Sequence, residues 1–213
     1  MHFNHYFCTL KLVIENQILA PIYIWSKIDK ASEVFIERYD NYNKRTYRNR
    51  FIILSQNGPL TISIPLKKGK NRNLRFTNVQ ISYDKNWIPN LKNTIKTCYG
   101  SAPYFDFYFD DLMDIFNKKH NSLFELNNEL RAFITKITEI DTPINFTKEY
   151  IAEYHNDFDD SRDKFNPVKD LKNIKNSNIK KYPQVFEYKI GFVPNASILD
   201  SIFNIGNQTA LII

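Results

Sequence analysis

Glycine is scarce, with only five in 213 residues. Phosphate-cradling and dinucleotide loops need glycine for positive φ and close backbone approach, and neither GxGxxG nor GxxxxGK[ST] occurs. No loop-bound nucleotide cofactor, and no cofactor of any other kind, is expected. Cysteine is almost as rare. Cys8 and Cys98 show no metal-ligand spacing and no disulfide framework, so reduced thiols in a cytoplasmic setting are expected. His2, His5, His120 and His155 form neither HxH nor HxxxH, and no structural metal is expected. No apolar run approaches the roughly 20 residues that span a bilayer. The apolar N-terminal stretch is interrupted by His, Asn, Lys and Glu and lacks a signal-peptide core. A membrane span is therefore not expected. No GxSxG elbow occurs, and neither cysteine has a recognisable catalytic neighbourhood. There is also no concentrated block of one charge. The net charge of +6 is spread along the chain, which reads first as a solvated surface and second as a mild attraction for anionic partners.

Phenylalanine and tyrosine, by contrast, are plentiful: 17 and 13. The length suits one domain, taken as 1–213, with a sizeable core. Leu10 to Ile14 reads as a buried strand, Pro21 to Ile28 as a helix and Glu33 to Ile36 as a second strand, a βαβ signal. Phe51–Leu54 and Leu60–Leu66 flank Asn57-Gly58 and read as a hairpin. Val79 to Tyr83 reads as a returning strand. Helical spacing then runs from Trp87 to about Ile137 in three segments, and Pro143 to Phe146 reads as a further strand. The expected fold class is α/β: a mixed sheet from the N-terminal part, opening with βαβ and a hairpin, covered by helices from residues 87–138. The polar stretch 156–180 reads as a mobile loop. Near the end, Asn195 reads as the cap of a last helix that buries Ile198, Leu199 and Ile202.

The densest chemistry lies in Glu37 to Arg50, ERYDNYNKRTYRNR, between two apolar strands. Arg48 and Arg50 suit an anion, which guanidinium groups bind bidentately. Asn49 suits a hydroxyl or carbonyl. In an extended segment the two arginines share a side and Asn49 faces away, so convergence needs a break in the strand. Tyr42 and Tyr47 offer faces for a sugar or base. Lys67 closes the hairpin with a second positive charge. Gln17 follows the first strand, where open α/β sheets place ligands. Gln17, Tyr42, Arg48, Asn49, Arg50 and Lys67 are the candidate substrate-binding residues, and no catalytic residue is named. The pairs Asp110-Asp111 and Asp159-Asp160 read as solvated acids, not as a glycosidase dyad.

Three stretches carry a family resemblance. The first is Asp40-Asn41-Tyr42-Asn43-Lys44-Arg45-Thr46-Tyr47-Arg48-Asn49-Arg50, continuing to Pro65-Leu66-Lys67. The second is Tyr99-Gly100-Ser101-Ala102-Pro103-Tyr104-Phe105. The third is Tyr182-Pro183-Gln184-Val185-Phe186 with Gly191-Phe192-Val193-Pro194-Asn195-Ala196-Ser197-Ile198-Leu199-Asp200. Together they resemble the WbqC-like family, particularly its shorter members. The resemblance implies an α/β fold and an accessory place in O-antigen or surface-polysaccharide synthesis, without naming a reaction. The sequence departs from the family at Gln17-Ile18-Leu19-Ala20, where His/Gln-Tyr-Phe-Pro is the pattern, and at Leu91-Lys92-Asn93, where it is His-Trp-Arg. Two functions stay open. One is a transferase, or an inactive relative of one, acting on an activated sugar or acyl donor. The other is a non-catalytic binder of an anionic glycan intermediate or nucleic acid. A nucleotide sugar or sugar phosphate is the expected ligand; no nucleic-acid motif is present.

Overall fold

A computed structural model describes residues 10–68, 74–167, 170 and 179–213. The chain opens with β1 (Lys11–Glu15), α1 (Ile22–Lys30) and β2 (Val34–Glu37), and the two strands pair in parallel from Leu12↔Val34 to Glu15↔Glu37. Both strands are apolar on both faces, as parallel strands buried between layers must be. Pro21 stands at the N-cap of α1, where its missing N–H costs nothing, and Ile22, Ile24, Trp25 and Ile28 turn inward.

The hairpin joins β3 (Arg50–Ser55) to β4 (Gly58–Ser63) through Gln56-Asn57. Gly58 takes φ 105°, a conformation that a side chain resists. Three helices follow: α2 (Trp87–Tyr99), α3 (Phe105–Asn117) and α4 (Leu123–Thr138), the last capped by Ser122, whose side chain accepts the Phe124 N–H. The chain then returns to the sheet. β5 (Ile144–Phe146) pairs with β2, and β6 (Phe158–Asp160) pairs with β1, both in parallel. A short α5 (Glu187–Ile190) and a buried α6 (Ile198–Ile205) follow, and a 3-10 helix, Gly206–Leu211, continues from α6.

The α/β class, the βαβ opening, the hairpin and the covering helices all match the expectation. The strands are divided differently, between a four-stranded parallel sheet, β5-β2-β1-β6, and the separate hairpin. Residues 158–160, expected inside a polar loop over 156–180, are instead an edge strand. Residues 168–169 and 171–178 of that stretch lie outside the described residues. Val79 to Tyr83 makes only isolated bridges, Leu66↔Ile81 and Gln80↔Ser122. Ser197, not Asn195, caps the last helix by accepting the Leu199 N–H; Asn195 sits at φ 64° and its Oδ1 accepts the Tyr23 N–H.

One apolar cluster runs through the molecule. It includes Ile14 and Ile36 from the sheet, Phe51 and Ile53 from the hairpin, and Ile95, Leu112, Phe116, Leu130 and Ile134 from the helices. α6 contributes Ile198, Leu199, Ile202 and Phe203, all fully buried. Just before it, Ser197 ties the parts together: its N–H donates to the Ile52 carbonyl and its hydroxyl to the Leu19 carbonyl. Phe105 and Phe109 of α3 stack on each other inside this core. No helix among the described residues is long and apolar enough to cross a membrane.

Candidate functional site

The order β5-β2-β1-β6 means that the chain leaves β1 toward β2 on one side and comes back to its other side with β6. Ligands in open α/β sheets bind beyond the carboxyl ends of the strands at such a reversal. Here those ends are crowded with charge. β1 ends on Glu15, β2 on Glu37 and β6 on Asp160, and Asp40, Arg162 and Asp163 follow in the adjoining loops.

Arg48 lies at the centre, with its side chain fully buried. Its guanidinium donates to Asp40 Oδ2 from Nη2, and to Asp163 Oδ1 at 2.6 Å from Nη1. A buried guanidinium survives only when paired in this way. Burial alone would push Arg48 down, but Asp40, Glu15 and Asp163 outweigh it and hold the guanidinium above its ordinary range. Glu15 is raised by burial, partly offset by Arg48. Its oxygens accept the Gln17 Nε2–H at 2.8 Å and the Asp163 backbone N–H at 3.0 Å.

Arg162 forms the second centre. It grips Asp160 with two bonds, Nε to Oδ1 at 2.9 Å and Nη2 to Oδ2 at 2.6 Å, and reaches Glu37 Oε2 at 3.1 Å. Its guanidinium lies 5.2 Å from the Tyr150 ring centre and 5.0 Å from that of Tyr154. Glu37, fully buried, also accepts the Thr147 hydroxyl and the Tyr39 N–H. Burial tends to raise Asp160, but the Arg162 hydrogen bonds prevail and hold it below the usual carboxylate range. The acids at 159 and 160, read as solvated, are therefore engaged; Asp159 pairs with Lys27 and Lys164. Asp110 and Asp111 are exposed, as expected.

Above this network opens a cavity of about 420 Å³, lined by Tyr39, Asp40, Asn41, Tyr42, Asn43, Tyr150 and Asp163. That volume falls within the range for small-molecule sites. Burial raises the Asp40 carboxyl, partly offset by Arg48. Its Oδ1 is buried and has no hydrogen-bond donor among the described residues.

Of the six sequence candidates, Tyr42, Arg48 and Asn49 come together. The Tyr42 hydroxyl donates to Asn49 Oδ1 at 2.9 Å, and Asn49 Nδ2 donates to the Ile64 carbonyl at 3.0 Å. They converge because residues 43–49 are irregular and β3 begins only at Arg50. Arg50 is half-buried and close enough to Tyr42 to act on its hydroxyl electrostatically. Gln17 joins through Glu15. Lys67 is exposed, with its backbone N–H on the Gln80 carbonyl. Of the six, Tyr42 lines the cavity; Arg48 and Asn49 lie buried behind the lining, Arg48 bonded to Asp40 and Asp163 and Asn49 to Tyr42.

A family model described as the WbqC-like protein family matches residues 22–163. The chain belongs to that family. No curated protein and no solved structure matches it. The WbqC-like match takes in every residue lining the cavity and ends at Asp163, the acid that closes on Arg48. It leaves out Gln17, as well as the third resembling stretch around Tyr182 to Asp200. At the departure after Trp87, Leu91 fills the core and Lys92 lies 6.0 Å from the Phe109 ring centre. The residues that sequence reading missed are Glu15, Glu37, Asp40, Arg162 and Asp163. The available signal was positional: each is at or just beyond a strand's carboxyl end. Among the described residues, no group of three or more His, Cys, Asp or Glu side chains is arranged to hold a metal ion.

Proposed function

We propose that this WbqC-like protein binds a sugar unit in the cavity beside Asp40 and acts as a transferase on an activated sugar or acyl donor in surface-polysaccharide synthesis. The observation that carries the reading is Asp40: one oxygen is fixed by Arg48, and the other is buried at the cavity wall without a donor among the described residues. A shift of the 39–43 loop that uncovers this oxygen lets it accept a substrate O–H or N–H. Tyr39, Tyr42 and Tyr150 offer ring faces and edges, and Asn41 and Asn43 offer amides.

The lining changes the expected ligand. Both guanidiniums of the network are already matched by carboxylates, and Asp40 and Asp163 face the cavity. A phosphate would be repelled there, which argues against nucleic acid and favours the neutral or amino part of a nucleotide sugar or sugar phosphate. In the reaction, Asp40 takes the proton from an acceptor hydroxyl or amine as that atom attacks the donor carbon. The leaving group departs with its bonding electrons. Burial, which raises Asp40, makes it a better base than an exposed aspartate.

The non-catalytic alternative is favoured by a specific fact: Arg48 is bound up in internal pairs and has none of its side chain exposed. Saturation-transfer NMR with glucose, glucosamine and UDP-glucose, together with UDP release on adding an acceptor sugar, tests both readings. Asp40→Asn is expected to lower kcat by about 10²-fold or more with little change in KM. Sugar binding that is abolished by Asp40→Asn, with no UDP release by the wild type, supports the binding protein. Sugar binding indifferent to Asp40→Asn, either with no UDP release by the wild type or with release that the variant leaves unchanged, defeats both.

A further inference from the structure

Arg131 lies on α4 with its guanidinium 5.4 Å from the Phe146 ring centre. It is half-buried, and no carboxylate lies within ion-pair distance of it among the described residues. Arg48 and Arg162 each have two acidic partners. Burial pushes the Arg131 guanidinium down to about 10, still charged at neutral pH. An unmatched, partly desolvated cation is a cost to folding.

Arg131 borders two spaces. One is a cavity of about 20 Å³ that it shares with Gln17 and Trp25. That is room for one water, which can serve the Trp25 Nε1–H and Gln17 Oε1, both buried without partners among the described residues. The other is a groove of about 470 Å³ between α4 and β5, lined by Asn128, Arg131, Ala132, Thr135, Lys136, Thr142 and Ile144. Helical spacing places Asn128 and Thr135 beside Arg131 on α4, and the small Ala132 leaves the floor open. Lys136 adds a second positive charge, and no acid lines the groove.

We propose that this groove is a phosphate site, taking the dianionic phosphoryl group of a small molecule. Arg131 supplies the fork, Lys136 the second charge, and the Thr135 hydroxyl and Asn128 Nδ2 neutral donors, while the Thr142 hydroxyl is given to the Asp29 carbonyl and only borders the groove. A phosphate fits better than a lone carboxylate because two cations and several neutral polar groups border one open space. The site does not depend on the reading of the cavity at Asp40.

The test titrates the protein with inorganic phosphate and with glucose 1-phosphate at fixed ionic strength, which removes general screening effects. Saturable binding is expected, with amide shifts at Arg131, Ala132, Thr135 and Thr142. Arg131→Gln is expected to weaken it about tenfold or more, and Lys136→Ala several-fold. Tighter binding of the ester places the source in a phosphorylated sugar; equal binding places recognition in the phosphoryl group alone. Arg131→Met keeps the side-chain stem and serves if the glutamine variant does not fold. Absence of saturable binding by the wild type, shifts confined to other regions, or equal titration of wild type and Arg131 variants would overturn the proposal.

Discussion

Arg48 and Asp200 are charged residues in the interior, and their surroundings decide what each charge does. In sequence, Arg48 stands in an Arg-Asn-Arg run that looks built to grip a ligand. In the fold its pairs with Asp40 and Asp163 use the guanidinium to align two carboxylates instead. The polar cluster was legible, but the direction of its charge was not, because Asp163 arrives from 115 residues away. Asp200 is a fully buried acid on α6 whose Oδ2 accepts the Tyr182 hydroxyl at 2.6 Å and Gln184 Nε2 at 2.8 Å. Burial, outweighing these hydrogen bonds, raises it from 3.8 to about 6. The folded state therefore holds this proton more tightly than the unfolded chain. Stability from the group is absent well above pH 6, grows as pH falls through the folded pKa, and is complete below the unfolded value. Asp200→Asn removes the titration. In urea unfolding, the stability of wild type relative to Asp200→Asn is expected to rise as pH falls from about 7 to about 5, with a slope approaching ~1.4 kcal/mol per unit. A pH-independent difference would mean that the carboxyl titrates normally. The whole Tyr182-Gln184-Asp200 network spans two segments that resemble the family, and only its tertiary closure identifies it as structural.

Elements differ in how far their own residues determine them. β1, α1, β2 and the hairpin were legible because their signals are local: apolar runs, a proline at a helix start, and Asn-Gly at a turn. β6 has none of these. It contains one apolar residue in three, and its pairing comes from β1, with the Lys11 N–H on the Asp157 carbonyl and the Ser161 N–H on the Val13 carbonyl. Short charged strands are also what a protected sheet edge requires, so the polar composition that suggested a loop fits an edge strand equally well. Arg162 anchors this strand by linking Asp160 to the buried Glu37. Arg162→Ala leaves Glu37 without a cation and is expected to cost about 3 kcal/mol or more. Hydrogen exchange is the discriminating measurement. The Ser161 amide should lose protection more than the amides of β3 and β4, which lie in a separate two-stranded sheet. A uniform loss across all amides would show that Arg162 supports the fold as a whole and does not specifically hold β6.

At the scale of the whole molecule, the parallel sheet is closed by strands from both ends of the helical region. β1 waits for β6, and β2 for β5, with α2, α3 and α4 in between. The sheet and helices share one apolar cluster, and Ser197 fastens the hairpin to the loop after β1. An arrangement of this kind gives neither half a complete core of its own, so unfolding is expected to be a single transition. The two tryptophans provide reporters on either side. Trp25, buried in α1, faces the sheet half. Trp87, at the start of α2, stacks on Tyr83 and meets Phe116 edge-on in the helical half. Trp25→Phe leaves only the helical reporter, and Trp87→Phe only the one in the sheet half. Each variant has its own stability, so the comparison is made within each: its fluorescence midpoint in urea against its own far-UV circular dichroism midpoint. Coincidence in both is the expected result. A fluorescence transition displaced from the circular dichroism transition in either variant would mean that sheet and helices unfold separately, with the shared core too weak to couple them.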